Sequence, residues 1–229
     1  MTGERTILLT GFPGRRQTGD NNSNPTGQIA RQLDGERVGA WRVDGQLIDC
    51  ELEERLDKLR QLMKVRPRLA VLSLGMTNTP GFILEEVGNN IIDTTDNPSQ
   101  IGGKRRTPIV PGLSHSGYVN NTIHLGSMAG QLYKAGFQAE VSDNPGTLGC
   151  NTVAFAGLHL HQEYPKTRML FMHIPYNLSC ALQAKADNPE KEVYSMPIER
   201  TNEGVLIVLK SLAQYAINRT VIPGVMPKE

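Results

Sequence analysis

Apolar positions along this chain follow two rhythms. Thr6-Ile7-Leu8-Leu9-Thr10, Leu69-Ala70-Val71-Leu72-Ser73-Leu74 and Met169-Leu170-Phe171-Met172-His173-Ile174 are short, nearly unbroken apolar runs. Runs of that length and content suit strands buried on both faces of a parallel sheet. Between them, apolar residues recur three or four positions apart. Ile29, Ala30 and Leu33 do so after Asn24 and Pro25, which are placed as N-cap and first helical residue. Leu52, Leu56, Leu59 and Met63 predict a helix over Glu51 to Val65, with Glu, Asp, Lys and Arg on its other face. Further helices are predicted over Asn121 to Ala135, Asn151 to Glu163 and Thr201 to Asn218. Arg37 to Ile48 alternates like a strand around Val38, Trp41, Val43 and Leu47, as does Phe82 to Ile92, and Gln138 to Ser142 is a third central strand. Met76 to Gly81 reads as a loop, Asn177 to Glu199 as irregular chain. Thr94 to Gly117 is a polar, Gly- and Pro-rich stretch of a length uncommon outside functional loops. Strands alternating with helices predict a three-layer α/β/α fold with a mostly parallel central sheet, in a single domain over residues 1–229.

Composition narrows the classes without choosing one. The 229 residues are 38% hydrophobic and 21% charged, with a net charge of +1 and scattered basic residues, which gives no reason to expect nucleic acid. The one basic cluster, Lys104-Arg105-Arg106, reads as a solvated loop. No apolar stretch reaches the ~18 residues that span a membrane, and the N-terminus does not resemble a signal peptide. Three cysteines make no disulfide framework in a chain of this size, so a cytoplasmic, reducing setting is expected.

The chemistry centres on Val141 to Asn151, where a strand end passes through a Pro- and Gly-rich turn into a helix. Cys150 then stands at or beside a helix N-terminus, whose N–H groups and dipole favour a thiolate. An inert buried thiol is the competing reading. In open parallel sheets, functional groups gather beyond the carboxyl ends of strands. Phe12, Gly75, Met76, Cys150 and His173 are all placed at such ends. Imidazole is the base suited to a thiol at neutral pH, and a third group should orient it. Glu85 and Glu86 are the candidates, because a carboxylate in the apolar tract Phe82-Ile83-Leu84 is costly to bury unpaired. His159 and His161 stand two apart on a helix and face different sides, which argues against a shared metal. The loop Gly11 to Asp20, with Arg15 and Arg16, lacks the order of a P-loop, and no Gly-x-Ser-x-Gly elbow is present.

A set of landmarks resembles pyroglutamyl peptidase I (pyrrolidone carboxyl peptidase). They are Gly11-Phe12, Asn24-Pro25-Thr26, Glu85 with Asn90-Ile91-Ile92-Asp93, Pro108-Ile109-Val110-Pro111-Gly112, Gly146, Cys150-Asn151 and His173-Ile174-Pro175-Tyr176. They occur in that family's order from about Thr6 to Tyr176. The resemblance implies a cytosolic cysteine exopeptidase that removes an N-terminal 5-oxoproline from a peptide or small amide, with no cofactor and no metal. It implies Cys150 as nucleophile, His173 as base and Glu85 as the orienting carboxylate, with Phe12, Gly75 and Met76 toward the substrate. By analogy the chain is a homodimer or homotetramer. Counting back from Asn90 selects Glu85, whereas counting forward from Gly75 selects Glu86.

The departures fall in the substrate pocket. The family's turn after the first strand carries a second Phe, absent from Gly11-Phe12-Pro13-Gly14-Arg15-Arg16. Thr94-Thr95 stands where the family has Ala-Arg, and Gly75 to Pro80 lacks the Arg and second Gly expected there. The resemblance therefore implies intact triad chemistry beside an altered pocket, with 5-oxoproline or a related small acyl group as the part removed. The alternative is a homologue that binds modified peptide N-termini or small amides without turning them over.

Overall fold

In the computed structural model the described residues are 6–14, 24–95 and 106–218. The elements in chain order are β1 (Thr6–Gly11), α1 (Pro25–Gln32), β2 (Arg37–Val38), β3 (Trp41–Leu47), α2 (Arg55–Val65), β4 (Arg68–Thr77), β5 (Phe82–Glu85), β6 (Val87–Gly88) and β7 (Tyr118–Val119). They continue with α3 (Leu125–Lys134), β8 (Ala139–Ser142), α4 (Gly149–Glu163), β9 (Arg168–Pro175), α5 (Leu178–Asp187) and α6 (Ile198–Asn218). A seven-stranded sheet runs in the order β2-β3-β1-β4-β9-β5-β8, and β6 pairs with β7 in a small separate ribbon.

The three apolar runs become the central strands because both of their faces are covered. Leu72, Leu74, Leu170, Met172 and Ile174 pack with residues of α1, α3 and α6 into the larger core. Leu8, Val71 and Met169 point the other way, onto Leu59, Met63, Ala156 and Leu160 of α2 and α4. This is the expected three-layer α/β/α arrangement around a mostly parallel sheet. Among the described residues no helix is long and apolar enough to cross a membrane.

Arg37 to Ile48 is split into β2 and β3, paired antiparallel. Four further differences from the sequence expectation each have a local reason. β4 does not stop at Gly75 but runs on through Thr77, because β9 stays in register beside it as far as Thr77 against Pro175. Phe82 to Ile92 is not one strand: β5 ends at Glu85, and Val87 and Gly88 turn away to pair with β7. Asn177 to Glu199 is not irregular throughout, since Asn177 caps α5 by accepting from Cys180 N–H. That cap was readable at the Asn, but α5 leaves Leu178 and Leu182 exposed, so it lacks a clear buried stripe.

The fourth difference bears on the site. β5 pairs antiparallel with β9 and parallel with β8, so β8 runs against β1, β3, β4 and β9. The carboxyl end of β8 therefore points away from the edge where β4 and β9 finish. Cys150 is not delivered by a strand end, as the sequence reading placed it. The connection from Asp143 to Leu148 carries the chain back to that edge, tied to Asp93 by Asp93 N–H donating to the Thr147 carbonyl at 3.0 Å.

Candidate active site

Register across the sheet brings the candidate groups together. Gly75 of β4 stands beside His173 of β9, and Ile83 of β5 stands on the other side of His173. Successive strand residues alternate faces. Phe171, His173 and Glu85 thus share the face covered by α4, opposite Met172 and Leu84.

His173 Nδ1 lies 2.7 Å from Glu85 Oε1. With the carboxylate as acceptor, Nδ1–H donates, and Nε2 is left for the Cys150 sulfur, which sits beside the ring over Gly75. Both partners are buried, Glu85 at 3% exposure and His173 at 8%. Burial, the largest single effect on the imidazole, pulls its pKa down. Hydrogen bonds to Cys150 and Glu85, helped by the charge of both, more than reverse this and raise His173 from 6.5 to about 9. The geometry selects Glu85 over Glu86, whose backbone N–H instead donates to Ser142 beyond the strand.

Cys150 is the second residue of α4. Leu148, at the N-cap, offers no side-chain oxygen to the first-turn N–H groups, and no acidic side chain lies in that turn. These donors and the helix dipole face the sulfur with little local competition. Asn151 anchors the turn from behind, donating Nδ2–H to the carbonyls of Asn89 and Ile91 while Oδ1 accepts from Asn89 N–H at 2.9 Å. Asn90 clamps the Pro108 to Gly112 stretch in the same manner: its amide donates to Val110 and Leu113 and accepts from Val110 N–H.

An open cleft of about 680 Å³ lies over Cys150 and His173. Phe12 and Met76 line it together with Ile48, Cys50, Arg55 and the Asn144 to Gly149 run. Volumes of this order suit small-molecule sites. Phe12 is held there by its backbone: its N–H donates to Thr26 Oγ1 at 2.8 Å, and Asn24 Oδ1 accepts from Thr26 N–H and Oγ1–H. Gly11 is required beside it, because a Cβ would run into the Thr26 carbonyl. Met76 also packs on the larger core, with its sulfur 3.8 Å from Cys180 Sγ.

Gly75 is placed differently from the sequence expectation of a substrate contact. It is not among the residues lining the cleft. It lies beneath the reactive pair, where a Cβ would come 2.8 Å from Cys150 Sγ and 3.0 Å from His173 Cδ2. Arg55 is the cleft residue that sequence reasoning passed over, as one more charge on the outer face of α2.

A metal shared by His159 and His161 receives no geometric support. His159 stacks on Phe155 and meets Tyr118 Oη at 3.1 Å, whereas His161 Nδ1 faces the Thr167 carbonyl. Among the described residues no three His, Cys, Asp or Glu side chains group as a metal would need. Arg15, Arg16, Lys104 and Arg105 lie outside the described residues. None of Cys50, Cys150 and Cys180 is joined in a disulfide.

Comparison with known proteins places this arrangement. The family model for pyroglutamyl peptidase matches residues 5–215. A pyrrolidone-carboxylate peptidase of Chromobacterium violaceum is 34% identical over 173 residues, 75% of this chain and 78% of that protein. One from Pyrococcus furiosus is 27% identical over 212 residues, 90% of this chain and 99% of that protein. The crystal structure of a mutant pyrrolidone carboxyl peptidase from P. furiosus superposes with a TM-score of 0.77 at 25% identity, covering 91% of this chain and 98% of that one. With a family match across nearly its whole described length and the matching α/β fold beneath it, the chain belongs to the pyroglutamyl peptidase family of cysteine peptidases.

Proposed function

We propose that the chain removes an N-terminal 5-oxoproline residue from peptides or small amides through a thioester on Cys150. The observation that supports this is Glu85 hydrogen-bonded to His173, with Cys150 beside the same ring, under a cleft that Phe12 lines. The Cys150 thiolate attacks the scissile carbonyl carbon. As the C–N bond breaks, His173 Nε2–H gives its proton to the departing amine. Water then adds to the thioester, the same nitrogen takes its proton, and the thiolate leaves with release of the acid. Glu85 fixes the tautomer and stabilises the imidazolium. Backbone N–H groups at the start of α4 are the donors available to the oxyanion.

A fluorogenic pyroglutamyl amide tests the reaction, and acid quench with intact-mass and peptide mapping tests the intermediate. Hydrolysis with acyl mass on Cys150 is expected. Iodoacetamide should label Cys150 first and Cys50 slowly, because burial pushes the Cys50 thiol up. Binding without turnover, or first labelling at Cys50 or Cys180, contradicts the reading.

The raised imidazole sets a pH dependence. His173 gains its proton more readily folded than unfolded, so its contribution to stability is fully present below about 6.5. It is lost as pH rises through about 9. The same deprotonation removes the proton owed to the leaving amine. An alkaline limb of kcat/KM near pH 9 is therefore expected, accompanied by a falling Tm over that range. A limb near 6.5 would mean that Glu85 and Cys150 do not support the charged ring.

A further inference from the structure

Arg55 has the surroundings of a working charge. It is the first residue of α2, and its guanidinium lies over the Phe12 ring, 4.7 Å from the centroid. It packs so closely on Gly149 that a Cβ there would collide with Nη1. Among the described residues its hydrogen bond is a long one, Nη1 to Thr152 Oγ1 at 3.4 Å in the first turn of α4, and its buried Nε meets no partner. Among the described residues no carboxylate lies within ion-pair distance of it. A guanidinium carries five donors in a fixed fork and stays charged in proteins. Arg55 is half-buried on the wall of the cleft. Partly desolvating a guanidinium with so few protein partners is unfavourable unless something else in the site uses the charge.

The candidate the site offers is the Cys150 sulfur, one residue on from the Gly149 that Arg55 packs against and on the same cleft. Burial presses Arg55 toward its neutral form, and the largest effect opposing this is its electrostatic attraction to Cys150. Phe12 on one side and Gly149 on the other hold the guanidinium rigid, so no reorganisation is needed when charge develops. Thr95, whose position the family resemblance would fill with an Arg, instead turns its hydroxyl onto Asp93 Oδ1 at 2.6 Å.

We propose that Arg55 is the fixed cation of the acyl-transfer site, stabilising the negative charge that passes between the Cys150 sulfur and the carbonyl oxygen. This rests on the acyl-transfer reading above. Gly149 then has a stated reason to be small: a side chain there would displace the guanidinium from the start of α4. The role asks for charge first and fork geometry second, so Lys should replace Arg in part and a neutral isostere should not.

The test compares wild type with Arg55→Gln and Arg55→Lys, reading the pH profile of iodoacetamide alkylation at Cys150 and steady-state kinetics on the pyroglutamyl amide. Arg55→Gln is expected to move the alkylation midpoint up by about one pH unit. It should lower kcat roughly tenfold to a hundredfold and leave KM within about threefold, the pattern of a lost transition-state interaction. Arg55→Lys should keep the midpoint near that of wild type. If the Gln variant does not fold, Arg55→Met retains the apolar stem against Phe12 and carries the same expectation. An unchanged midpoint and kcat in a folded neutral variant would make Arg55 a packing residue and overturn the proposal. A loss confined to KM would overturn it as well, assigning Arg55 to recognition of the acyl group. Wild type that neither hydrolyses the amide nor labels at Cys150 would instead bring down the acyl-transfer reading itself.

Discussion

Cys150→Ala, His173→Ala and the double variant are expected to lose nearly the same amount of kcat, on the order of 10⁵–10⁶ each, rather than losses that add. The sulfur and the imidazole act as one unit. Without the imidazole, the thiol has no hydrogen-bonded base and the leaving amine has no proton donor; without the sulfur, the imidazole has nothing to activate. Whatever remains comes from the rest of the cleft and from the backbone N–H donors of α4, which all three variants leave in place. Glu85→Gln belongs in the same series with a smaller loss, on the order of 10²–10⁴, since the ring would keep a neighbour but lose its tautomer and its counter-charge. Equal circular dichroism and Tm within a few degrees would show that folding is not the cause. The series fails if the double variant loses about the product of the single losses. That result would mean that Cys150 and His173 serve separate steps.

The fold was legible where one physical rule decided an element. The buried strands and the amphipathic helices follow from burial on both faces or on one stripe, and their residues read that way directly. Pairing direction did not follow from any such rule. Phe82 to Glu85 has the composition of a central strand in either orientation, and only its hydrogen bonds to β9 reveal that it runs antiparallel. β8 inherits that reversal, so the route to Cys150 had to be seen. The candidate triad was readable because three rare residue types sit in an ordered set of landmarks. Glu85 against Glu86 was not settled by counting, since one residue gained or lost in a loop slides the answer by one; strand alternation decides it, turning Glu85 toward His173. Arg55 gave no signal at all. In the sequence it is one charge in a charged helix start, and its place over Phe12 depends on how α2 packs against α4.

Gly75→Ala is expected to lower kcat/KM by ~10²–10³ and to destabilise the protein by about 1–3 kcal/mol, with the loss of activity as the larger effect. The added methyl group would meet three side chains: Phe171 Cζ at 2.5 Å, Cys150 Sγ at 2.8 Å and His173 Cδ2 at 3.0 Å. The Phe171 ring is 4% exposed and packs edge-on against His173, so it has little room to withdraw. Backbone movement is resisted too, because Gly75 sits within the β4–β9 ladder, which continues past it to Thr77 against Pro175. The sulfur is the softest of the three contacts, needing only a rotation about its Cα–Cβ bond to escape. That rotation carries it away from Nε2 and from the N–H donors of α4, which is why chemistry should suffer more than folding. A folded Gly75→Ala protein with wild-type kcat/KM would show that sulfur and imidazole do not need the space this glycine leaves, and the row of Gly75, His173 and Ile83 would lose its place in the mechanism.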